Sequence, residues 1–148
     1  MNKKELTLQS EICKSVRAQG GYAVKLSHRF AVGVPDLLIR MPHVSAMLIE
    51  VKDLGMVTDK FDLKVPVTPK QREELKKFSE VSGPSHSVLE SAAAVLVGLI
   101  HKGRRVLVIN PYWVAKLNYL YEYQGSVWVE RSTPGPTFFD MKRLLGIK

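Results

Sequence analysis

The chain has 148 residues, of which 45% are hydrophobic and 24% charged, so its length and composition suit one globular domain with an ordinary core. No apolar run approaches the roughly 18 residues that span a bilayer, and the first residues lack the apolar segment of a signal peptide. A single cysteine excludes an internal disulfide and a cysteine-based zinc site, so we expect a cytoplasmic protein.

The net charge of +8 favours a polyanionic partner, which can be DNA, RNA or an anionic surface. Residues 1–40 carry seven Lys and Arg against three Asp and Glu, and residues 101–148 carry eight against three. The middle, residues 41–100, carries seven against eight. Basic ends therefore flank a nearly neutral centre that holds most of the acids.

The first half of the chain predicts one helix and three strands. Apolar residues at a spacing of four predict a helix over residues 7–18 that ends at Gly20-Gly21. A short strand over 22–26 and a turn before Pro35 lead to two further strands, over 36–40 and 46–52.

The middle of the chain predicts a long loop and a capped helix. Residues 53–67 show little periodicity, and we expect an irregular, mobile element there. Thr68 then suits a helix N-cap, Pro69 the first helical position, and Gln71 the third position of a capping box. This helix should run to about Ser82.

The last third is less distinct. A short strand is expected over 86–90, and residues 92–100 fit a helix capped by Ser91, although a strand that turns at Lys102-Gly103 also fits. A buried strand is expected over 106–109, followed by a helix that opens at Asn110-Pro111 and contains Trp113, Leu117 and Leu120. A strand is then expected over 127–129. The last helix is framed by Thr137 and Asp140 and ends at Leu145-Gly146. This order predicts an α/β (α+β) domain with a mixed central sheet flanked by helices.

The two strands at 36–40 and 46–52 have a connection short enough for a hairpin. If the hairpin is symmetric about His43, Leu38 faces Leu48 and Asp36 faces Glu50, with Cβ atoms about 4.5–5.5 Å apart. Lys52 shares that face, because strand side chains repeat every two residues. A register slip of one residue would separate the acids.

Two carboxylates and a lysine on one face predict hydrolysis of a phosphodiester. Mg²⁺ takes oxygen ligands, usually one or two carboxylates with water and substrate phosphate, and Asp36 with Glu50 suits this. The bound ion lowers the pKa of water, and Lys52 would offset the charge that develops on phosphorus. The competing interpretation is a strand end with solvated charges.

Other residues have weaker signals. His28 and Arg29 follow the first strand and form either a phosphate contact or a polar turn. With them, the candidate DNA-binding residues are Lys60, Lys64 and Lys70. From periodicity alone, Glu11 is a solvated helix residue. Cys13 lies on the apolar side of its helix and is not expected to be a nucleophile.

The motifs as a set resemble the PD-(D/E)xK nuclease superfamily, and within it the VRR-NUC family. The matching residues cover about 5–100 and run in this order: Glu11, Gly33-Val34-Pro35-Asp36-Leu37, Ile49-Glu50-Val51-Lys52, and Thr68-Pro69-Lys70-Gln71. The resemblance implies a restriction-endonuclease-like core. The loop after Lys52 and the tail from about Asn110 depart from the family pattern.

The resemblance also assigns roles. It implies that Glu11, Asp36 and Glu50 bind Mg²⁺ or Mn²⁺, that Lys52 is catalytic, and that Gln71 belongs to the active site. It further implies a stand-alone nuclease of bacterial or viral type that pairs as a homodimer. On this basis we expect one nuclease domain over 1–148, with a core over about 5–109 and an extension over 110–148.

The function that we expect is a metal-dependent DNA endonuclease, structure-selective on branched DNA such as a Holliday junction or a flap. Such a junction needs two active sites, which a symmetric dimer supplies. The alternatives are an archaeal-type Holliday junction resolvase, a sequence-specific restriction-type nuclease, and a non-catalytic DNA-binding accessory protein.

Overall fold

The fold is that of a computed structural model, which describes residues 3–26, 33–59, 63–82, 92–111, 119–120, 128–131 and 138–147. The elements in chain order are α1 (Lys3–Ala18), β1 (Tyr22–Lys25), β2 (Leu37–Arg40), β3 (Met47–Val57), β4 (Leu63–Lys64), α2 (Pro69–Ser82), β5 (Ala93–His101), β6 (Arg104–Pro111), β7 (Tyr119–Leu120), β8 (Trp128–Glu130) and α3 (Met141–Leu145). The predicted α/β class, with a mixed sheet flanked by helices, is confirmed. None of the described helices is both long and apolar enough to cross a membrane.

Six strands form the main sheet in the order β1-β2-β3-β5-β6-β8, and β4 pairs with β7 in a separate ribbon. Strands β1, β2 and β3 are antiparallel neighbours, whereas β5 runs parallel to β3. A parallel neighbour requires a crossover connection, and the segment that contains α2 supplies it. The predicted order of a helix, three strands and a second helix is confirmed, apart from the two-residue β4.

The sheet buries a different apolar cluster on each face. On the first face, α1 and α3 pack against Ile49 and Val51 of β3. On the second face, Leu75 of α2 packs against Val95 and Val97 of β5. We call these the α1 face and the α2 face. Because strand side chains alternate, Glu50 and Lys52 project toward the α2 face.

Three sequence predictions are wrong in the described residues. Within the predicted loop over 53–67, β3 continues to Val57 with a bulge between Asp53 and Met56, and residues 63–64 form β4. Asn110 and Pro111 belong to β6 and do not open a helix, and Leu120 belongs to β7. Residues 92–100 form β5 and not a helix.

The misassignment of β5 has a clear physical cause. Every residue from Ala92 to Leu99 is buried. Apolar residues therefore occupy all positions of the segment and satisfy a helical template by chance. The alternative, a strand that turns at Lys102-Gly103, is the one observed. The expected strand over 86–90, together with Ser91, Trp113, Leu117 and Thr137, lies outside the described residues.

Gly33 joins the Pro-Asp motif to the start of α2. Its φ is +83°, and a Cβ there would lie 2.6 Å from Cγ of Lys70 and 3.0 Å from the Lys70 backbone. Only glycine meets both demands, since a side chain is strained at this φ and has no room. The close approach holds the segment before Asp36 against the first turn of α2.

We predict that Gly33→Ala destabilises the fold by about 2–4 kcal/mol, because it adds steric overlap to backbone strain. Gly146→Ala is the matched control, since Gly146 has φ +75° but open space around it, and should cost about 1–2 kcal/mol. Urea unfolding measures both. Equal losses would show that the contact with Lys70 contributes nothing.

Candidate active site

The β2–β3 hairpin brings Asp36 beside Glu50. Leu37 pairs with Ile49 and Leu38 with Leu48, so the predicted register is confirmed, and Asp36 lies one position before the ladder, opposite Glu50. Oδ2 of Asp36 accepts a hydrogen bond from the Val51 amide at 2.8 Å. Both acids are only 3% exposed, so little water screens their mutual repulsion.

Their proximity changes the ionisation of Glu50. Burial, the Asp36 charge and a hydrogen bond between the two side chains raise the Glu50 pKa to about 9, while Lys52 acts in the opposite direction. Two carboxylates in contact cannot both remain ionised without a compensating cation, so one proton bridges them in the metal-free protein.

Lys52 lies on the same face as Glu50 and is close to it. Its Nζ atom is 3.7 Å from Oε2 of Glu50, and its side chain is 8% exposed. An ammonium in so dry a place interacts strongly with any charge that forms beside it. The predicted grouping of Asp36, Glu50 and Lys52 is present.

Gln71 makes contacts that suit both interpretations, the capping box and a place beside the acidic cluster. Its side-chain Oε1 accepts a hydrogen bond from the Thr68 backbone amide at 3.0 Å, and its backbone amide donates to Oγ1 of Thr68 at 3.2 Å. These two bonds complete the predicted capping box. Its Nε2 also donates to Oε2 of Glu50 at 3.2 Å. The helix start therefore orients a carboxylate of the cluster.

Sequence reasoning missed Glu5, the acid of α1 that does interact with this cluster. Burial raises the pKa of Glu5; Lys52 lowers it and Asp36 raises it. Glu5 is three residues before Leu8 and seven before Ile12, so it extends the buried stripe of the helix. An acid on an apolar stripe was the available signal.

Glu11, which the resemblance assigned to the metal, lies elsewhere. It is six residues after Glu5, about 120° around the helix. Oε1 of Glu11 accepts from Arg131 at 3.2 Å, while Oε2 is buried without a hydrogen-bond partner. It lines a cavity of about 370 Å³ on the α1 face, together with Asp53 and Arg105.

Asp53 connects this cavity to the cluster. Arg105 donates two hydrogen bonds to its carboxylate, at 3.0 and 2.6 Å, and the Gly55 amide donates a third at 2.9 Å. Burial alone would raise the Asp53 pKa, but these hydrogen bonds outweigh burial and lower it. The Asp53 amide in turn bonds the Glu5 carboxylate, so the paired Asp53 holds the bulged part of β3 that positions Glu5.

The structure describes two of the five candidate DNA-binding residues. Lys64 is an exposed residue of β4. Lys70 is exposed too, but its Nζ pairs with Glu73 at 3.7 Å and Glu74 at 3.4 Å. His28, Arg29 and Lys60 lie outside the described residues.

The chemistry of the donor set fits a hard divalent cation. Among the described residues, no group of three His, Cys, Asp or Glu side chains forms a complete metal cage. Mg²⁺ seldom uses such a cage, because it keeps several waters and binds one or two carboxylates with substrate phosphate. Asp36 and Glu50, held together against their repulsion, are the residues that would hold it.

Comparisons with known proteins assign no family to the chain. No protein-family model matches the chain, and no curated protein matches it. A solved structure of the Holliday junction resolvase Hjc from Archaeoglobus fulgidus is similar over 76% of this chain and 82% of its own, with 16% identity and a TM-score of 0.48. Similarity at that level assigns neither a family nor an activity, and the resemblance to the VRR-NUC family stays a prediction.

The raised pKa of Glu50 predicts how stability depends on pH in metal-free protein. The pKa of Glu50 is 4.5 in the unfolded chain and about 9 in the folded chain. Its favourable contribution to the free energy of unfolding is therefore complete below pH 4.5 and is lost as the pH rises through 9. Glu50→Gln removes this titration. We expect the variant to gain at least about 1 kcal/mol over the parent between pH 5 and pH 9.

Urea unfolding at each pH in EDTA measures this gain. Glu73→Gln is the control, since its side chain is 53% exposed and on the surface of α2. Parallel pH curves for the parent and Glu50→Gln would contradict the assignment of the bridging proton.

Proposed function

We propose that the chain is a Mg²⁺- or Mn²⁺-dependent endonuclease that hydrolyses phosphodiester bonds in DNA. The observation that carries the proposal is the buried contact of Asp36 with Glu50, with Lys52 Nζ 3.7 Å from Glu50. Such a set has no structural advantage, since two buried carboxylates in contact are costly whether they repel each other or must share a proton. Its value is chemical.

Each residue has a distinct task in this proposal. Asp36 and Glu50 hold the cation, which when bound supplies Lewis acidity and lowers the pKa of water. Gln71 donates to Glu50 and so directs its other oxygen toward the site. Lys52 stabilises the negative charge that accumulates on the phosphate oxygens in the transition state.

The reaction balances with water as the only co-reactant. The water oxygen forms a bond to phosphorus while the bond from phosphorus to the 3′ oxygen breaks. A proton passes to the leaving oxygen, which becomes a 3′-hydroxyl, and the phosphate stays on the 5′ end. This regiochemistry follows the resemblance to PD-(D/E)xK nucleases.

The partner that we propose is branched or double-stranded DNA. The net charge of +8 supplies the attraction to phosphates. A structure-selective cut on a junction or flap fits a small chain without an evident base-reading module. A homodimer would place two active sites on one junction.

The extent of the nuclease is part of the proposal. The core over 5–109 would hold the catalytic residues, and the extension over 110–148 would complete the same domain. Strand β8 pairs with β6 in the main sheet, and α3 packs on the α1 face, which supports a single unit. The VRR-NUC affiliation stays a proposal, and the experiments below separate the restriction-type and accessory-protein alternatives from the proposed function.

We predict that Lys52→Ala lowers the cleavage rate at least about 100-fold and leaves DNA affinity within about threefold, because Lys52 acts on charge that develops in the transition state. Cleavage of plasmid, flap and four-way junction DNA, with Mg²⁺ or EDTA, measures the rate. Lys14→Ala, at an exposed position of α1, is the control for loss of one charge.

Cleavage by Lys52→Ala at the parent rate would overturn the mechanism. Failure of the parent to cut any of these substrates with either metal, while it still binds them, would favour a non-catalytic accessory protein. A single recognised sequence in the plasmid would favour a restriction-type enzyme.

A second prediction compares the two acids of α1. Glu5→Gln should reduce metal-dependent cleavage about 10–100-fold, because Glu5 interacts with Asp36 and Lys52. Glu11→Gln should change it by less than about threefold, because Glu11 faces Arg131. Rates at several Mg²⁺ concentrations distinguish weaker metal binding from slower chemistry. The opposite ranking would restore Glu11 to the role that the resemblance implies.

A further inference from the structure

A groove at the tip of the β5–β6 hairpin lies outside the candidate active site. It has a volume of about 400 Å³ and is lined by His101, Lys102, Arg104, Val106, Trp128 and Glu130. We call it the tip groove. No residue of the cluster around Glu50 contributes to it.

The tip groove opens on the same face of the sheet as the active-site cluster. Val106 belongs to the apolar cluster of the α2 face, and Trp128 packs against it. Arg104 is two residues before Val106, so its side chain has the same direction. Glu50 and Lys52 pair with Val95 and Val97 of that same face. Both places therefore lie on the α2 side of the sheet, and buried residues of β5 lie between them.

The separation of the two places matches the geometry of duplex DNA. Lys52 pairs with Val97 of β5, and Val57, at the end of β3, pairs with His101 beside the hairpin tip. Because β3 contains one bulge, this stretch equals four residues of β5, or about 13 Å at 3.3 Å per residue, and Lys102 lies one residue further. A separation of about 13–17 Å corresponds to about four to five base pairs along the axis of a duplex, close to half a helical turn.

The charges of the tip groove favour a polyanion. Lys102 is exposed and forms no ion pair within the part of the chain that the structure describes. Arg104 pairs with Glu130 at 3.1 Å, but the two side chains are 68% and 55% exposed, and such pairs contribute little stability. A DNA phosphate can displace Glu130 from Arg104 at small cost.

The backbone of the tip supports a role for Lys102 other than folding. Lys102 has φ +51° and Gly103 φ +76°, and they connect the paired residues His101 and Arg104 in a two-residue turn with both φ values positive. Turns of this type favour Asn, Asp or Gly at the first position. A lysine there is strained, because its Cβ lies too close to the following carbonyl oxygen, so the fold alone would favour Asn at this position.

We propose that the tip groove binds the phosphate backbone of a duplex arm about half a helical turn from the cleaved bond, with Lys102 and Arg104 as the contacts. This inference rests on the proposed nuclease function and adds to it the place where the substrate arm lies. The contact is to phosphate, so it carries affinity and register, with no preference for base sequence.

The decisive variant is Lys102→Asn, because it removes the charge and relieves the strained turn at once. We expect a Tm equal to or above that of the parent, together with a 3–10-fold weaker Kd for a fluorescent four-way junction in EDTA at about 0.1 M salt. The slope of log Kd against log salt should fall by about 0.9, and by about twice that in Lys102→Asn with Arg104→Gln.

Lys142→Gln is the matched control. Lys142 is an exposed residue of α3, and its amide bonds Gln19 near the end of α1. The tip lies near Lys4 and Glu11, toward the other end of that helix. Removal of this equal charge should leave Kd within about twofold and the salt slope unchanged.

Neutral phosphate analogues test the predicted distance. When the phosphates about four to six base pairs from the mapped cleavage site are replaced by uncharged methylphosphonates, the parent and Lys102→Asn should bind with equal affinity, because no charged phosphate reaches the tip groove.

The outcomes separate this inference from the proposed function. If the parent cleaves DNA with Mg²⁺ but Lys102→Asn matches it in Kd and salt slope, the tip groove does not bind DNA and the nuclease assignment stands. If the effect of Lys102→Asn persists on the methylphosphonate junction, the predicted distance is wrong. If the parent neither binds nor cleaves DNA, the nuclease function fails, and this inference fails with it.

Discussion

The contact between the Asp36 and Glu50 carboxylates is the constraint on which the rest of the site depends. Neither group reaches bulk water, and burial, followed by the Asp36 charge, raises the pKa of Glu50 to about 9. The β2–β3 register places them opposite each other, and the Val51 amide fixes one oxygen of Asp36. A hairpin ladder is stable enough to hold a pair that would otherwise separate.

Strand β3 is the element on which the other parts converge. Gln71 reaches Glu50 from α2, and Glu5 reaches the same cluster from α1, while the Asp53 amide bonds the Glu5 carboxylate. Arg105 holds Asp53 by two hydrogen bonds, so β6 also contributes to the geometry. Because these supports come from both faces of the sheet, the cluster forms only when the whole sheet is folded.

The parts of the site that sequence predicted correctly are those that local signals determine. The hairpin register follows from a short connection, and the capping box of Thr68 and Gln71 follows from spacing within one turn. Strand β5 was predicted as a helix because a strand that is buried on both faces shows no alternation of apolar and polar residues. Glu5 was missed because its partners come from other elements, and only the fold brings them near α1.

The local costs in this fold lie where the proposed chemistry needs them. The like-charged pair at Glu50 and the left-handed backbone at Lys102 each make the native state less stable than an available neutral or asparagine side chain would. Left-handed backbone also occurs at His43 and Ala92, so strain alone does not distinguish the tip. Lys102 combines this backbone with an exposed cation that lines a groove. That combination, on the side of the sheet that holds the Asp36 and Glu50 carboxylates, is what the proposed surface for a polyanion requires.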